Sequence, residues 1–285
     1  RNKHMIKALK PEKERKKERK KNKGYDFIFS IGEACNCSVF LRRNNLQIKS
    51  YPFDWLANAT LEERADLIIS NFCNFFEKED FQKVGESTEY NPCDTYKNTK
   101  TKIYHLHDFK HGIDFDISFK EAKEKYDRRI KRLYEQISNS KKVLAVYLVN
   151  PNSSVSVPDE TLISVQKKLK NKFSKKQVDL LYIKSIPEQE DIKEIFLNDN
   201  IIKITANYTP RENTSHTPDW MYIPNPEIMK EILSDFYLNK NKYFEIRRLK
   251  KGFGFYILQR IFTIFRLKLY LFGFRLDICL GKIRD

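Results

Sequence analysis

The chain has 285 residues, 40% of them hydrophobic, which is enough to bury one large core or two small ones and excludes a disordered protein. Its net charge of +16 is concentrated at the ends, because residues 1–23 carry 12 Lys or Arg against 3 Glu and residues 240–285 carry 12 against 3 acidic residues. Residues 24–239 sum to −2, which argues against a nucleic-acid binder.

The first 23 residues are dense in Lys, Arg and Glu, which predicts a solvated helix or a disordered linker that could join a preceding domain. Five cysteines occur at irregular spacing, and the charged N-terminus does not resemble a secretory signal. We therefore expect reduced thiols in a cytoplasmic protein.

The body of the chain, residues 24–239, alternates strand and helix patterns. Strands are predicted at residues 27–31, 102–109, 143–149, 178–183 and 201–206. Helices are predicted at residues 37–43, 61–76, 119–137, 159–173 and 188–196, and a loop that could act as a lid is predicted at residues 86–101. Strands separated by helices imply right-handed crossovers, so we expect an α/β fold, a three-layer sandwich with a mostly parallel sheet.

Cys35 comes three residues after Gly32, where the first predicted strand turns into a helix. Ligands of open parallel sheets bind at the carboxyl ends of the strands. Amide groups at a helix N-terminus lower the pKa of a thiol and stabilise an oxyanion. Cys35 is therefore a candidate nucleophile, and the alternative is a small buried cysteine packed between strand and helix.

Several blocks of the sequence resemble one known family. They are Ser30-Ile31-Gly32-x-x-Cys35, Leu41-Arg42, Ser50-x-Pro52-Phe53-Asp54-Trp55, His107-Asp108, Tyr126-x-Arg128-Arg129-x-x-Arg132 and the strand VLAVYLV. Over roughly residues 25–206 the pattern is similar to a bacterial and viral family predicted to be papain-like cysteine peptidases, of unknown function. The resemblance implies a nucleophile at Cys35, a histidine partner at His107 and, as an alternative fold, a papain-like α+β architecture.

A cysteine hydrolase needs an imidazole that takes the thiol proton and returns it to the leaving group. His105 and His107 lie two apart on a predicted strand and should face the same side, and His107 is favoured because it lies nearer the carboxyl end of the strand. His105 stays open as the base. His216, three residues before Asp219 in a loose His-Asp pattern, is a reserve base.

Two carboxylates are candidates to orient the imidazole. Asp54 is favoured, because it follows a proline and an aromatic residue in a constrained turn near the first strand. Asp108 should point to the opposite face of a regular strand from His107, which counts against it. The alternative for Asp54 is a turn-forming carboxylate that bonds nearby amides.

The predicted helix at residues 119–137 carries four candidate substrate-binding residues, Tyr126, Arg128, Arg129 and Arg132. Arg128 and Arg132 share a helix face and could bind a phosphate or carboxylate of a substrate. The alternative is a solvated basic face.

A metal site could be drawn from Cys35-x-Cys37 and His105-x-His107. Zinc usually has two to four residues between paired cysteines, and here there is one. We therefore expect no metal, and no motif points to a cofactor.

Residues 240–285 have a different character. Residues 252–274 are rich in aromatic and aliphatic side chains, but Arg260, Arg266 and Lys268 interrupt them, so no uncharged run approaches the roughly 20 residues of a membrane span. Flanking basic residues predict an amphipathic helix on an anionic membrane surface, and the alternative is a helix packed on the body. Similar tails occur on cytoplasmic enzymes of bacterial surface-polysaccharide assembly, which suggests a peripheral location at the inner face of the membrane.

These observations predict a cysteine-nucleophile enzyme of hydrolysis or acyl transfer, working in bacterial surface-polysaccharide or lipid-linked glycan metabolism. The alternative is a glycosyltransferase-type or accessory domain of glycan assembly, which binds a sugar or phosphate while Cys35 is structural.

Overall fold

A computed structural model describes residues 23–89, 91–151, 153–209 and 224–239. Its strands are β1 (Gly24–Tyr25), β2 (Phe27–Ser30), β3 (Leu56–Ala57), β4 (Phe81–Gly85), β5 (Cys93–Asn98), β6 (Tyr104–Lys110), β7 (Lys142–Leu148), β8 (Gln177–Ser185), β9 (Lys193–Asn198), β10 (Ile201–Ala206) and β11 (Tyr237–Leu238). Its α-helices are α1 (Asn36–Arg43), α2 (Leu61–Ile69), α3 (Phe115–Ser138), α4 (Asp159–Lys172) and α5 (Pro226–Ser234).

A five-stranded sheet with the order β2-β7-β8-β10-β9 forms the centre of the fold. The first four strands are parallel, and β9 pairs antiparallel with β10. Both faces of β7 are buried, since Val143, Ala145 and Tyr147 belong to one apolar cluster while Leu144 and Val146 belong to a second. Alternate side chains of a strand point to opposite faces, so this sheet lies between two apolar layers.

The helices cover both faces of this sheet. Helices α2, α3 and α4 contribute their apolar stripes to the cluster that contains Tyr147, and α1 and α5 contribute theirs to the cluster that contains Leu144. Strand β2 therefore ends between two helical layers, and the chain passes from it directly into α1.

A second sheet, with the order β3-β6-β5-β4, is antiparallel and lies in the sequence between β2 and β7. The predicted α/β class is confirmed, but the predicted mostly parallel sheet is wrong. The central sheet is mixed, and four further strands form an antiparallel sheet of their own. A mixed fold of this kind is compatible with the papain-like alternative.

Two predicted elements change type. The predicted loop at residues 86–101 contains β5, a polar strand that the pattern of apolar residues does not reveal because half of its side chains contact solvent. The predicted helix at residues 188–196 contains the start of β9, an edge strand whose charged side chains are exposed. Charged residues blunt edge strands against pairing with other chains, and here they imitate a helical surface.

The predicted helix at residues 61–76 is shorter than expected, since α2 ends at Ile69. Asn71, Phe72 and Asn74 then adopt positive φ angles of 58°, 56° and 55°, which a helix cannot continue through. Phe72 is still buried, but from a turn. Within the described residues, no helix combines the length and the apolar character that crossing a membrane requires.

Candidate active site

The turn from β2 to α1 holds Cys35 at the N-cap of the helix. Gly32 makes this turn possible, because a Cβ atom there would lie 2.4 Å from Cys37 Cβ and 3.2 Å from the Leu148 nitrogen. A separation below 3.0 Å would force the helix and the strand apart. Glycine is therefore required at position 32 by close approach rather than by backbone angle.

Glu33 braces the same turn from the side of the central sheet. Its amide donates to the Leu148 carbonyl at 3.1 Å, and its carboxylate accepts from the Asn150 amide and the Ser153 hydroxyl, both at 2.8 Å. From α2, the completely buried Arg64 donates to the Glu33 carbonyl at 3.0 Å. The segment that leads to Cys35 is thus held by long-range contacts, which a local sequence motif cannot predict.

The Cys35 thiol is half-buried at the start of α1. Burial raises its pKa above the ordinary value, although the amides of Cys35 and Asn36 act in the opposite direction. The expectation that helix amides lower the thiol pKa is therefore wrong in its net result, since loss of solvent outweighs the amide contacts. At neutral pH the resting group is a thiol, which a base would have to deprotonate.

His107 lies on β6 as an exposed residue whose ring packs edge-on against Trp55, with 5.8 Å between the ring centroids. Partial burial of the ring lowers the His107 pKa, with a raising contribution from Asp108 and a lowering one from Lys125. The imidazole is therefore neutral at pH 7 and able to accept a proton.

Cys35 and His107 border one turn, residues 51–55. The Ser38 hydroxyl lies 3.0 Å from the Cys35 carbonyl oxygen and 2.8 Å from that of Asp54, so it joins the start of α1 to this turn. The next residue, Trp55, carries the ring that His107 contacts. Arg42 covers the same indole, with its Cζ 5.3 Å from the ring centroid.

Asp54 is completely buried beneath this turn. Its Oδ2 accepts from Arg42 at 2.5 Å, from the Gln47 amide at 2.6 Å and from the Tyr51 backbone at 2.8 Å. Burial raises the Asp54 pKa to about 6 despite these donors. Oδ1 has no hydrogen-bond partner in the described part of the chain, and none of the described bonds joins Asp54 to His107. Its role in orienting the imidazole stays a prediction.

His105 and His107 do not share an environment. His105 is completely buried among aromatic rings, and its Nδ1 lies 2.7 Å from Asp108 Oδ2, whereas His107 is exposed. The expected common side is wrong because β6 is bulged between these residues. For the same reason Asp108 turns back toward His105 instead of following the alternation of a regular strand.

The four candidate substrate-binding residues occupy different environments. Tyr126 is completely buried and donates to Asp108 at 2.8 Å, a position that favours a structural role. Arg128 is exposed, and Arg132 donates to the Ser50 carbonyl at 2.9 Å beside the turn. Arg129 stacks on Tyr126 and has a buried Nη1 without a described partner. Contact with a substrate stays a prediction for all four.

A group that could hold a metal lies on the antiparallel sheet, where Glu86, Asp94 and His111 bring ligand atoms within 4.8 Å of one another. Lys83 pairs with Glu86 at 2.7 Å and with Asp94 at 2.9 Å, so an ammonium group already contacts both carboxylates and offsets one of their two negative charges. Cys35, Cys37, His105 and His107 form no such group in the described ranges.

Comparison with known proteins identifies the family of the chain. Residues 26–186, more than half of the chain, match the family described as "Putative papain-like cysteine peptidase (DUF1796)". The chain belongs to this family. An uncharacterized protein of Acanthamoeba polyphaga mimivirus is 27% identical over 136 residues, which cover 42% of this chain and 61% of that protein. No solved structure matches the chain.

The family match includes the candidates Cys35, Asp54 and His107. It also includes Glu33 and Arg64, which the sequence patterns did not single out because their partners are distant in sequence. The reserve pair His216 and Asp219, residues 1–22 and the basic tail at residues 240–285 lie outside the described residues. The expected membrane surface, glycan substrate and preceding domain therefore stay predictions.

Proposed function

We propose that this protein is a cysteine hydrolase or acyltransferase, with Cys35 as nucleophile and His107 as general base. The observation that carries the proposal is that both residues border the turn at residues 51–55, Cys35 through the Ser38 hydroxyl and His107 through Trp55. Family membership supports the same class of chemistry.

In the proposed reaction, a ring nitrogen of His107 accepts the Cys35 proton while the sulfur attacks a substrate carbonyl carbon. The tetrahedral intermediate collapses as the bond from carbon to the leaving group breaks, and the imidazolium donates its proton to that group. A thioester on Cys35 remains. Water or an acceptor then loses a proton to His107 and attacks the thioester, which releases the acyl product and restores the thiol.

The pKa directions favour a neutral resting pair. Burial raises the Cys35 pKa and lowers the His107 pKa, so both changes disfavour a preformed thiolate and imidazolium. Proton transfer then belongs to the chemical step itself. Asp54, in this proposal, contributes by holding the turn and Arg42 in place.

The predicted role in glycan metabolism depends on the tail at residues 240–285, which lies outside the described residues. A peptide, an amide, an ester and a thioester all present the carbonyl that the proposed nucleophile requires. We therefore propose the reaction class and leave the acyl donor open.

The proposal can be tested without a substrate, because alkylation of a thiol requires its deprotonation. Cys73 is exposed and serves as an internal reference for Cys35. We expect His107→Ala to lower the ratio of Cys35 to Cys73 labelling by iodoacetamide at pH 7 by at least about tenfold, a minimum set below the roughly 10²–10⁴-fold that general-base catalysis typically contributes. Peptide mass spectrometry measures both sites in one sample.

His111→Ala is the matched control, since it removes an exposed histidine from the neighbouring end of β6. It should leave the labelling ratio unchanged. An unchanged ratio in His107→Ala would refute His107 as the base. A Cys35 thiol that stays unlabelled in the native wild-type protein would refute the nucleophile.

A further inference from the structure

Strand β6 contains a wide irregularity beside the candidate base. Tyr96 pairs with His105 and Asp94 pairs with Phe109, so two steps along β5 oppose four steps along β6. The additional residues fall around His107. In a regular strand His107 would share the buried side of His105, and the bulge instead leaves it exposed against Trp55.

The Asp108 carboxylate anchors this bulge to α3. Its Oδ2 lies 2.7 Å from His105 Nδ1 and 2.8 Å from the Tyr126 hydroxyl, and its Oδ1 lies 2.5 Å from the Lys125 ammonium. The Asp108 side chain is only 1% exposed. From the other direction, the Asn91 side chain donates to the Leu106 carbonyl at 2.8 Å. The residues before and after His107 are therefore both fixed.

Burying a polar network of this kind costs more free energy than filling the same core volume with apolar side chains. A carboxylate, an imidazole and a phenol are buried among aromatic rings, and His105 Nε2 is left without a hydrogen-bond partner in the described part of the chain. Apolar side chains of similar volume often stabilise a protein as well or better. What such a network can supply is one specific backbone path.

We propose that Asp108 is a positioning residue, which holds the bulge of β6 so that His107 is presented to the Cys35 side of the turn. The inference rests on the proposed function, since it requires His107 to act as the base. Asp108 need not touch the substrate or the reacting atoms, and its effect passes entirely through His107. Asp108 thereby has a structural role in the bulged strand, whereas in a regular strand its carboxylate would point to the face opposite His105.

Ionisation of the anchor fits this role. Burial alone would raise the Asp108 pKa, but the contacts with His105 and Lys125 lower it well below the usual range of a carboxyl group. The carboxylate therefore stays charged at every pH at which His107 is neutral. His105, Lys125 and Tyr126 therefore retain an ionised acceptor over that whole pH range.

A double-mutant cycle in the full chain tests the proposal, with the Cys35 to Cys73 labelling ratio at pH 7 as the readout. We expect Asp108→Ala alone to lower the ratio at least about fivefold, approaching His107→Ala, by loss of general-base deprotonation. In the His107→Ala background the same change should have no further effect. A general loss of structure would instead change labelling in both backgrounds.

Asp127→Ala is the matched control, because this α3 carboxylate is exposed and its ion pair with Lys123 is long, at 3.8 Å. If Asp108→Ala does not fold, Lys125→Met replaces it in the cycle, since it removes one donor from a half-exposed position. An unchanged ratio, or independent effects of the two substitutions, would overturn the role of Asp108. Failure of His107→Ala by itself would overturn the proposed function instead, so the two failures are distinguishable.

Discussion

At the scale of single residues, Cys35 differs from the other described cysteines in combining access with backbone donors. Cys37 is completely enclosed, and burial raises its pKa to about 11. Its thiol donates to the Val146 carbonyl at 3.4 Å. Cys73 is exposed, and the proposed mechanism assigns it no general base. The two cysteines of the Cys-x-Cys sequence thus have separate roles, one at the helix start and one in the core.

The pH dependence of Cys35 labelling follows from the two pKa directions. Since burial lowers the His107 pKa and raises the Cys35 pKa from their ordinary values, the wild-type rate should rise as the imidazole loses its proton and then level off. His107→Ala should remove this plateau, leaving a rate that climbs only as the thiol itself ionises in alkaline solution. Iodoacetamide labelling, quenched at set times between about pH 5 and 10 and quantified for each cysteine, measures the pH–rate profiles of the wild type and of His107→Ala.

Gly32→Ala tests the close approach beneath the turn. The added methyl group would lie 2.4 Å from Cys37 Cβ, so the substitution should lower the free energy of unfolding by about 1–3 kcal/mol and slow Cys35 labelling. Urea unfolding measures the first effect. Gly85→Ala, whose methyl group would lie 3.2 Å from Thr95, is the milder control, and equal losses in the two variants would contradict the argument.

At the scale of elements, α2 braces the turn from β2 to α1 that holds Cys35. Besides bonding Glu33, the Arg64 guanidinium donates from Nε to the Asn58 carbonyl at 3.1 Å and stacks over Phe53. Burial lowers its pKa to about 10, so it remains charged at neutral pH. One side chain of α2 therefore ties together the two turns that border the proposed site.

We expect Arg64→Met to destabilise the protein by about 1–3 kcal/mol, because carbonyl groups of Glu33 and Asn58 would lose a buried donor. The Cys35 labelling ratio should change as well, since the turn loses its support. Arg128→Met provides the control at an exposed arginine. An equal urea midpoint for the two variants would argue that Arg64 does not brace the turn.

Strand β6 marks the point where element-level prediction fails. The sequence indicated the strand correctly, yet a period of two is a property of regular pairing, and nothing local to residues 104–110 announces the bulge. Its cause is the pairing with β5, which was itself predicted as a loop, and the bonds to Lys125 and Tyr126 on α3.

At the scale of the whole molecule, the antiparallel sheet lies in the long connection between β2 and β7, two neighbouring parallel strands. The turn that holds Cys35 follows the central sheet directly, while His107 lies on the second sheet. The proposed site thus needs one residue from the end of each sheet, and neither sheet could supply both.

The basic tail at residues 240–285 yields a prediction of its own. The 285-residue chain should sediment with vesicles that contain anionic lipid, because clustered Lys and Arg contribute roughly 1 kcal/mol each near such a surface. A chain that ends at residue 239 should lose this binding and keep the Cys35 labelling ratio. Neutral phosphatidylcholine vesicles are the control, and salt-independent binding to both vesicle types would contradict an electrostatic role for the tail.

The sequence by itself determined the α/β class, four of the five strands of the central sheet together with β6, four of the five described α-helices, the position of Cys35 after a glycine turn, and the family. These features depend on local periodicity and on close spacing, which a linear pattern records. Only the tertiary structure decided the antiparallel sheet, the net direction of the Cys35 pKa, the separation of His105 from His107, and the partners of Asp108. Each of these depends on burial or on contacts between residues distant in the chain, and burial is set by packing rather than by the identity of neighbouring residues.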